Sequence, residues 1–263
     1  MPEKPAAPGV EYASYPSLRE RPVFVTGGGS GIGAAIVQAF VAQGARVAFV
    51  DIDQPASLAL CTRLDGTGAH SPLFLPCDVR DIDALRSAIA QAASRIGDIA
   101  VLVNNAARDD RHRIEEVTVE YWDERVAVNL RHQFFAAQAV VEQMKRRGGG
   151  SIVNFGSVSW MIKAGGMPAY TTSKAAVHGM TRSLANDLGP LGIRVNTISP
   201  GWVMTERQLN LWVTPEGEQD MDRNQCLKIR LQPDDIARMV LFLAADDSRG
   251  CTAQNFIVDA GWA

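Results

Sequence analysis

The sequence lacks the features that would indicate a metalloprotein, a secreted protein or a membrane protein. Its four cysteines (Cys61, Cys77, Cys226 and Cys251) are far apart and form no CxxC pair, so neither a zinc site nor a dithiol redox site is expected. No apolar run is long enough to span a bilayer, and the N-terminal region has no secretory apolar segment. We therefore expect a cytoplasmic protein with reduced thiols and no bound metal.

The chain also lacks an excess of positive charge. Its 263 residues carry a formal net charge of −3, and the short arginine-rich pieces are mixed with aspartates or followed by glycines. This balance argues against nucleic acid or an anionic membrane as a partner. With 46% hydrophobic residues, a chain of this length can bury a sizeable core.

Short apolar strands alternate with helical segments along most of the chain. Strands are predicted at 22–26, 46–50, 72–76, 99–103, 151–155, 192–198 and 255–258, with helices between them, including a long one at 119–146. Continuous apolar strands are typical of parallel sheets that are buried on both faces. The pattern predicts one α/β domain with a doubly wound sheet at 21–263, a flexible tail at 1–20 and a mobile lid at about 204–230.

A glycine-rich turn joins the first strand to the first helix. Residues 26–33 read TGGGSGIG, in the strand–turn–helix context of a dinucleotide site. Glycines let the backbone approach a pyrophosphate, which the N–H groups of the following helix would bind. The predicted contacts are Gly27, Ser30, Gly31, Ile32 and Gly33. A glycine motif alone is weak evidence, and a plain glycine-rich loop is the alternative.

Asp51 ends the second strand, where a carboxylate can bond both hydroxyls of an adenosine ribose. The same charge would repel a 2′-phosphate, and no Arg or Lys within the turn or directly after Asp51 offsets it. We therefore predict NAD as the cofactor, with NADP used less efficiently. Asp53 is interpreted as the N-cap of the next helix.

Further polar residues follow strands three and four. Asp78 could accept from the adenine amino group while Val79 packs on its ring, although a loop acid that caps the helix at 81 is an equal alternative. Asn104 and Asn105 open the segment NNAA, where asparagine side chains can tie strand ends together and small residues leave room for a cofactor.

Tyr170 and Lys174 are the residues best suited to proton transfer. Their i, i+4 spacing places both on one helix face, and an ammonium nearby would favour the phenolate of Tyr170. Such a tyrosine can act as a general base, and Ser157, after strand five, could bond the same substrate oxygen. A lone YxxxK is common by chance, however, and by itself favours a half-buried aromatic and a solvated charge.

Together these motifs resemble the short-chain dehydrogenase/reductase family. The matching pieces are TGGGSGIG at 26–33, Asp78-Val79, NNAA at 104–107, Asn129, Ser157, Tyr170, Lys174, Pro200-Gly201 and Thr205, in the family's order and spacing. The resemblance implies a Rossmann-type domain assembled as a homotetramer. Ala107 departs from the glycine that the family most often has there.

The resemblance also implies residue roles. Tyr170 would be the general base, and Lys174 would lower its pKa and bond the nicotinamide ribose. Ser157 would hold the substrate oxygen, and Asn129 would join a water-mediated proton relay. Val203, through its backbone, and Thr205 would hold the nicotinamide carboxamide.

Several segments resemble a subgroup of sugar dehydrogenases that oxidise the anomeric carbon of aldoses such as D-galactose, L-arabinose, L-fucose or D-xylose. They are Asp109–His112, Tyr121–Arg125, Asn129–His132, Asn154–Trp160, Thr214–Glu218, Gln225–Lys228 and Asp259–Trp262. We predict sugar contacts from Arg108, Asp109, Ser159, Trp160 and Trp202, which follow strand ends, together with Ser157 and Tyr170. For Trp160, simple loop packing is an equal alternative.

Two alternatives remain. The same machinery could act on a 3-oxoacyl thioester, a steroid or a polyol. A non-catalytic protein that senses a dinucleotide is the second alternative, although a sensor would not need the general base Tyr170.

Overall fold

The computed structural model describes residues 12–263, which form one seven-stranded sheet in the order β3-β2-β1-β4-β5-β6-β7. Every neighbouring pair of strands is parallel. The strands are β1 (Pro22–Thr26), β2 (Arg46–Asp51), β3 (Leu73–Pro76), β4 (Val101–Asn104), β5 (Gly150–Phe155), β6 (Ile193–Pro200) and β7 (Asn255–Val258). The order reverses between β1 and β4, where doubly wound sheets bind their ligands.

Helices cover both faces of the sheet, as the alternation predicted. They are α1 (Gly31–Ala42), α2 (Gln54–Leu64), α3 (Ile82–Ile96), α4 (Val119–Val126), α5 (His132–Arg146), α6 (Pro168–Leu188), α7 (Glu206–Leu211), α8 (Pro215–Asn224) and α9 (Pro233–Ala244). Alternate residues of β1 enter opposite cores: Val23 and Val25 pack with α1 and α9, whereas Phe24 packs with α3 and α5. Burial on both faces explains why the strands are continuously apolar.

The predicted long helix at 119–146 is interrupted. Between α4 and α5 the backbone forms a π-helical segment, Ala127–Arg131, which contains Asn129. Such π-bulges occur frequently at functional sites. The helical periodicity continues through this segment, so sequence reasoning predicted an uninterrupted helix.

The predicted tail at 1–20 is described only in part, since residues 1–11 lie outside the described residues. Pro16–Leu18 form a 3-10 turn, and Leu18 is fully buried in the core beside α1 and α9. The packed domain therefore begins before residue 21.

The segment predicted as a lid consists of α7 and α8. Its two ends meet: the Met204 backbone N–H donates to the Leu231 carbonyl at 2.8 Å, and Val203 pairs with Leu231 as an isolated parallel bridge. The segment therefore leaves the sheet and returns at one point. No helix among residues 12–263 has the length and apolar character of a membrane crossing.

Candidate active site

A cavity of about 1250 Å³ opens at the carboxyl ends of the strands. Its walls include Gly27 after β1, Asp51 at the end of β2, Asn105 after β4 and Gly156 after β5. The opposite wall comes from the segment after β6, including α7. This volume exceeds the roughly 300–1,000 Å³ typical of small-ligand pockets. The cavity therefore has room for two ligands side by side.

The glycine turn forms one wall with its backbone. A Cβ added at Gly33 would collide with the Gly27 carbonyl oxygen, and one at Gly27 would lie 2.8 Å from Cα of Ala106. Gly27 also has a φ of +67°, which favours glycine. All five predicted contacts of this turn, Gly27, Ser30, Gly31, Ile32 and Gly33, line the cavity.

Asp51 is fixed by backbone donors. Its Oδ2 accepts from the Gly29 N–H at 2.8 Å and its Oδ1 from the Asp53 N–H at 2.9 Å. Each carboxylate oxygen keeps a free lone pair for a further donor. Asp53 caps α2 by accepting from the Ala56 N–H at 3.0 Å, which confirms that prediction.

The predicted adenine contacts, Asp78 and Val79, both line the cavity. Asp78 does not cap the following helix; that role belongs to Asp81, which accepts from the Ala84 N–H at 3.0 Å. Asp78 instead binds the Arg80 guanidinium, whose hydrogen bonds lower the pKa of the Asp78 carboxyl group.

The two asparagines after β4 tie strand ends together, as predicted. Asn104 Nδ2 donates to Asn154 Oδ1 on β5 at 2.9 Å. Asn105 Nδ2 donates to the Gly27 carbonyl at 2.8 Å and to the Thr26 carbonyl at 3.1 Å. Both strands next to β4 are thereby held at the cavity edge.

Ser157, Tyr170 and Lys174 converge on this cavity and line it together. Ser157 caps a 3-10 turn, Val158–Trp160, by accepting from the Ser159 N–H at 3.1 Å. Tyr170 and Lys174 lie one turn apart on α6, with Lys174 Nζ 5.7 Å from the centre of the Tyr170 ring. Lys174 is buried and donates to the Phe155 carbonyl at 2.8 Å.

The electrostatics of this triad differ from the sequence prediction. Burial raises the pKa of Tyr170 above its ordinary value, and the Asp109 carboxylate raises it further, while the Ser157 hydroxyl and Arg111 lower it. Burial lowers the pKa of Lys174 to about 7. Burial thus disfavours the ammonium form of Lys174, which is the form that would stabilise a phenolate of Tyr170.

Asn129 does not line the cavity; it is fully buried behind it. Its side chain accepts from the Arg108 N–H at 2.9 Å and donates to the Arg108 carbonyl at 3.1 Å. It also donates to the Arg125 carbonyl at 2.9 Å, one turn earlier in the chain. Asn129 therefore positions the loop between β4 and α4.

Four predicted sugar contacts line the cavity: Arg108, Asp109, Ser159 and Trp202. Trp160 does not. Its ring packs edge-on against His178, with the ring centres 5.1 Å apart, and this loop packing was the alternative weighed from the sequence. The predicted carboxamide contacts Val203 and Thr205 do line the cavity, and Thr205 caps α7.

Sequence reasoning missed several residues of the cavity wall, among them Arg111, Arg207, Gln208 and Trp262. The spacing Thr205-x-x-Gln208 resembles a capping box, which could have located the start of α7. It would not have shown where the Gln208 side chain points. That direction depends on contacts with the distant loop between β4 and α4.

The residues present fit a nicotinamide dinucleotide. The glycine turn presents bare backbone, and a Cβ at Gly31 would lie only 3.2 Å from Thr205 Cγ2 across the cavity. Asp51 keeps free acceptor capacity, and Lys174 and Thr205 line the same cavity. Residues 12–263 contain no cluster of His, Cys, Asp and Glu that could hold a metal ion.

Comparisons with known proteins agree with this geometry. Residues 27–263 match a family model described as enoyl-(acyl carrier protein) reductase. A probable galactose dehydrogenase, GalD, of Rhizobium meliloti (strain 1021) is 53% identical, over 95% of this chain and 97% of that protein. A D-xylose 1-dehydrogenase of Caulobacter vibrioides (strain NA1000 / CB15N) is 49% identical, over 95% of this chain and 98% of that protein.

Among solved structures, a blue fluorescent protein from a metagenomic library, in complex with NADPH, is 35% identical. It matches with a TM-score of 0.86 over 94% of this chain and 99% of that chain. The family model, the named dehydrogenases and the Ser–Tyr–Lys site together identify an oxidoreductase that uses a nicotinamide dinucleotide, and this chain belongs to the short-chain dehydrogenase/reductase family.

Proposed function

We propose that this enzyme oxidises an aldose at C1 to the aldonolactone, with NAD as the cofactor. The observation that carries the proposal is the convergence of Ser157, Tyr170 and Lys174 on a cavity whose wall also presents Arg108 and Asp109. A polar wall next to the proton-transfer group suits a polyhydroxylated substrate. The names of the galactose and D-xylose dehydrogenases support the choice of substrate class.

The chain's own residues would hold the sugar and move one proton. The Tyr170 side chain acts as the phenolate: its Oη takes the proton of the anomeric hydroxyl and becomes the neutral phenol, while Ser157 Oγ bonds the same oxygen and orients it. Lys174, fixed by the Phe155 carbonyl, donates toward the cofactor ribose. The nicotinamide ring, when bound, supplies the acceptor for the hydride from C1. Loss of one proton and one hydride leaves the carbonyl of the lactone.

The preference for NAD rests on Asp51. Its carboxylate is anchored by the N–H groups of Gly29 and Asp53, so it cannot easily turn away from a ribose 2′-substituent. The nearest cavity arginine in sequence, Arg80, is engaged by Asp78 and Glu124. A 2′-phosphate would meet an anchored negative charge, although the NADPH-bound structure at 35% identity shows that such cofactors occur among similar proteins.

The lid and the assembly are parts of the same proposal. The segment at 204–230 would open at its joined base, near Val203 and Leu231, to admit the sugar. A homotetramer is expected from the family resemblance, and α4 and α5 expose the apolar side chains of Val119, Trp122 and Phe134. Light scattering on the purified protein would give the oligomeric state.

Initial rates of NADH formation with a panel of aldoses, measured with NAD and NADP, test the proposal. A preferred aldose with a high kcat/KM in NAD is the expected result. Activity only on polyols, ketones or acyl thioesters would reject the sugar assignment and leave the family standing. NAD binding without turnover of any substrate would favour the sensor.

A further inference from the structure

Two adjacent aspartates in the loop between β4 and α4 differ in how fully they are paired. The Asp110 carboxylate binds three guanidinium groups: Arg125 at 2.6 Å, Arg207 at 2.5 Å and Arg108 at 3.1 Å. Asp110 does not line the cavity. Its charge is compensated within the protein, so its role is to hold the loop.

Asp109 has free acceptor capacity and does line the cavity. Its Oδ2 accepts from Gln208 Nε2 at 2.7 Å, while its Oδ1 reaches Arg207 Nε only at 3.5 Å. A carboxylate can accept about four hydrogen bonds. Asp109 therefore retains acceptor sites for a donor that enters the cavity.

The side-chain amide of Gln208 has one chemically permitted orientation. Its Oε1 accepts from Trp202 Nε1 at 3.0 Å, and the indole N–H can only donate. Its Nε2 donates to the Asp109 carboxylate, which can only accept. Reversing the amide would break both hydrogen bonds. Gln208 thus links Trp202, after β6, to Asp109, after β4, across the cavity wall.

The backbone of Gln208 is held as firmly as its side chain. Its N–H donates to Thr205 Oγ1 at 3.2 Å, and its carbonyl accepts from the Trp212 N–H at 2.9 Å. Trp202 also packs against the lid. Its ring lies so close to Gly217 of α8 that a Cβ added to this glycine would be only 2.8 Å from the ring. The position of Asp109 is therefore coupled to the lid and to the residue that caps α7.

The charge of Asp109 acts on the reacting groups. It raises the pKa of Tyr170 and also opposes the lowering of the pKa of Lys174. Asp109, Tyr170 and Lys174 line the same cavity, so a substrate bound there would meet all three side chains.

We propose that Gln208 is a positioning residue that holds the Asp109 carboxylate as the acceptor for one sugar hydroxyl other than the anomeric one, so that this pair selects the substrate. The inference rests on the proposed aldose oxidation. The selected hydroxyl must be a donor, because Asp109 can only accept. A sugar that lacks it would leave the carboxylate without that partner.

The test compares kcat/KM for the preferred aldose with kcat/KM for each of its monodeoxy analogues. The wild type should reject one analogue by about 10- to 100-fold, as expected for one hydrogen bond to a charged group. In Gln208→Leu this discrimination should collapse toward unity, and in Asp109→Asn, whose amide oxygen is a weaker, uncharged acceptor, it should fall, whereas NAD binding should change little in both. Asp110→Asn, the matched control in the neighbouring residue, should keep the discrimination.

Gln208→Glu gives a second readout that a purely structural role would not produce. The new carboxylate can still accept from Trp202, but when ionised it faces Asp109 with like charge. Its activity should therefore recover as the pH falls, because a protonated glutamic acid can donate to Asp109. Gln208→Leu should show no such recovery.

Several results would overturn the inference. Equal losses on the aldose and on all its deoxy analogues in Gln208→Leu would reduce Gln208 to a structural residue. If Asp109→Asn oxidised the aldose and still discriminated between it and the deoxy analogue as the wild type does, this inference would be rejected and the proposed function would stand. A wild type that oxidises no aldose would reject the proposed function together with it.

Discussion

The proposed cofactor side and the proposed substrate side of the cavity are built from different kinds of contact. On the cofactor side, side chains bind backbone groups: Asp51 accepts two N–H groups, and Asn105 donates to two carbonyls. On the substrate side, Asp109, Gln208 and Trp202 bind one another through side chains. A backbone contact constrains which residue types can occupy a position. A contact between two side chains can be made by many pairs of residue types, so it is harder to predict from the sequence.

The largest expected effect separates chemistry from cofactor binding. Tyr170→Phe should lower kcat by at least about 10²–10⁴-fold, the usual contribution of a general base, and leave the Kd for NAD nearly unchanged. Steady-state rates and fluorescence titration would measure the two quantities. Tyr121→Phe is the control, because the Tyr121 hydroxyl binds His112 and does not line the cavity. Near-normal turnover in Tyr170→Phe would contradict the mechanism.

A substitution in the glycine turn tests whether the proposed cofactor side requires residues without a side chain. Gly33→Ala places a Cβ against the Gly27 carbonyl, so we expect a loss of about 1–3 kcal/mol in the free energy of unfolding and weaker NAD binding. Gly179→Ala in α6 is the control, since a Cβ there meets nothing within 4 Å. Denaturant titrations of both variants provide the measurement. Equal stability of the two would show that the turn tolerates a side chain.

Asp51→Asn tests the charge at the ribose end. Because the amide removes the repulsion toward a 2′-phosphate, the ratio of kcat/KM for NAD to that for NADP should fall by about 10- to 100-fold. Asp53→Asn, which alters the cap of α2 beside it, should leave this ratio unchanged. If the ratio changed in Asp53→Asn and not in Asp51→Asn, Asp51 would not be the residue that selects NAD over NADP.

The last prediction concerns the pH dependence of stability, whose change within any one pH unit is small. The pKa of Lys174 falls from its ordinary 10.5 to about 7 in the folded protein, so between these values the unfolded state binds more protons. The free energy of unfolding should therefore rise with pH across this window, by up to about 1.4 kcal/mol per pH unit. Lys174→Met should remove this contribution, whereas the exposed Lys145→Met should not. Urea titrations at several pH values would detect the difference, and parallel slopes for wild type and Lys174→Met would contradict it.

Predictions from the sequence agreed with the structure where a residue makes its contact within one helix or strand, or at its end. The capping role of Asp53, the strand ties of Asn104 and Asn105, and the pairing of Tyr170 with Lys174 on α6 follow from spacing within one element or at its end. For Trp160, a sugar contact and simple loop packing were equal alternatives, and its ring packs against His178. The π-helical segment around Asn129 escaped prediction because the loop that it holds lies about twenty residues earlier in the chain.

The parallel α/β architecture, the glycine turn and the placement of Tyr170 and Lys174 on one helix face could be predicted from residue types alone, because apolar periodicity and steric limits at backbone contacts restrict which residues can occupy a position. The electrostatics and the substrate wall depend on the tertiary structure. Burial, which no local pattern reports, sets the pKa shifts of Tyr170 and Lys174. Gln208 meets Asp109 across 99 residues of chain, and only the packing of the lid brings them together.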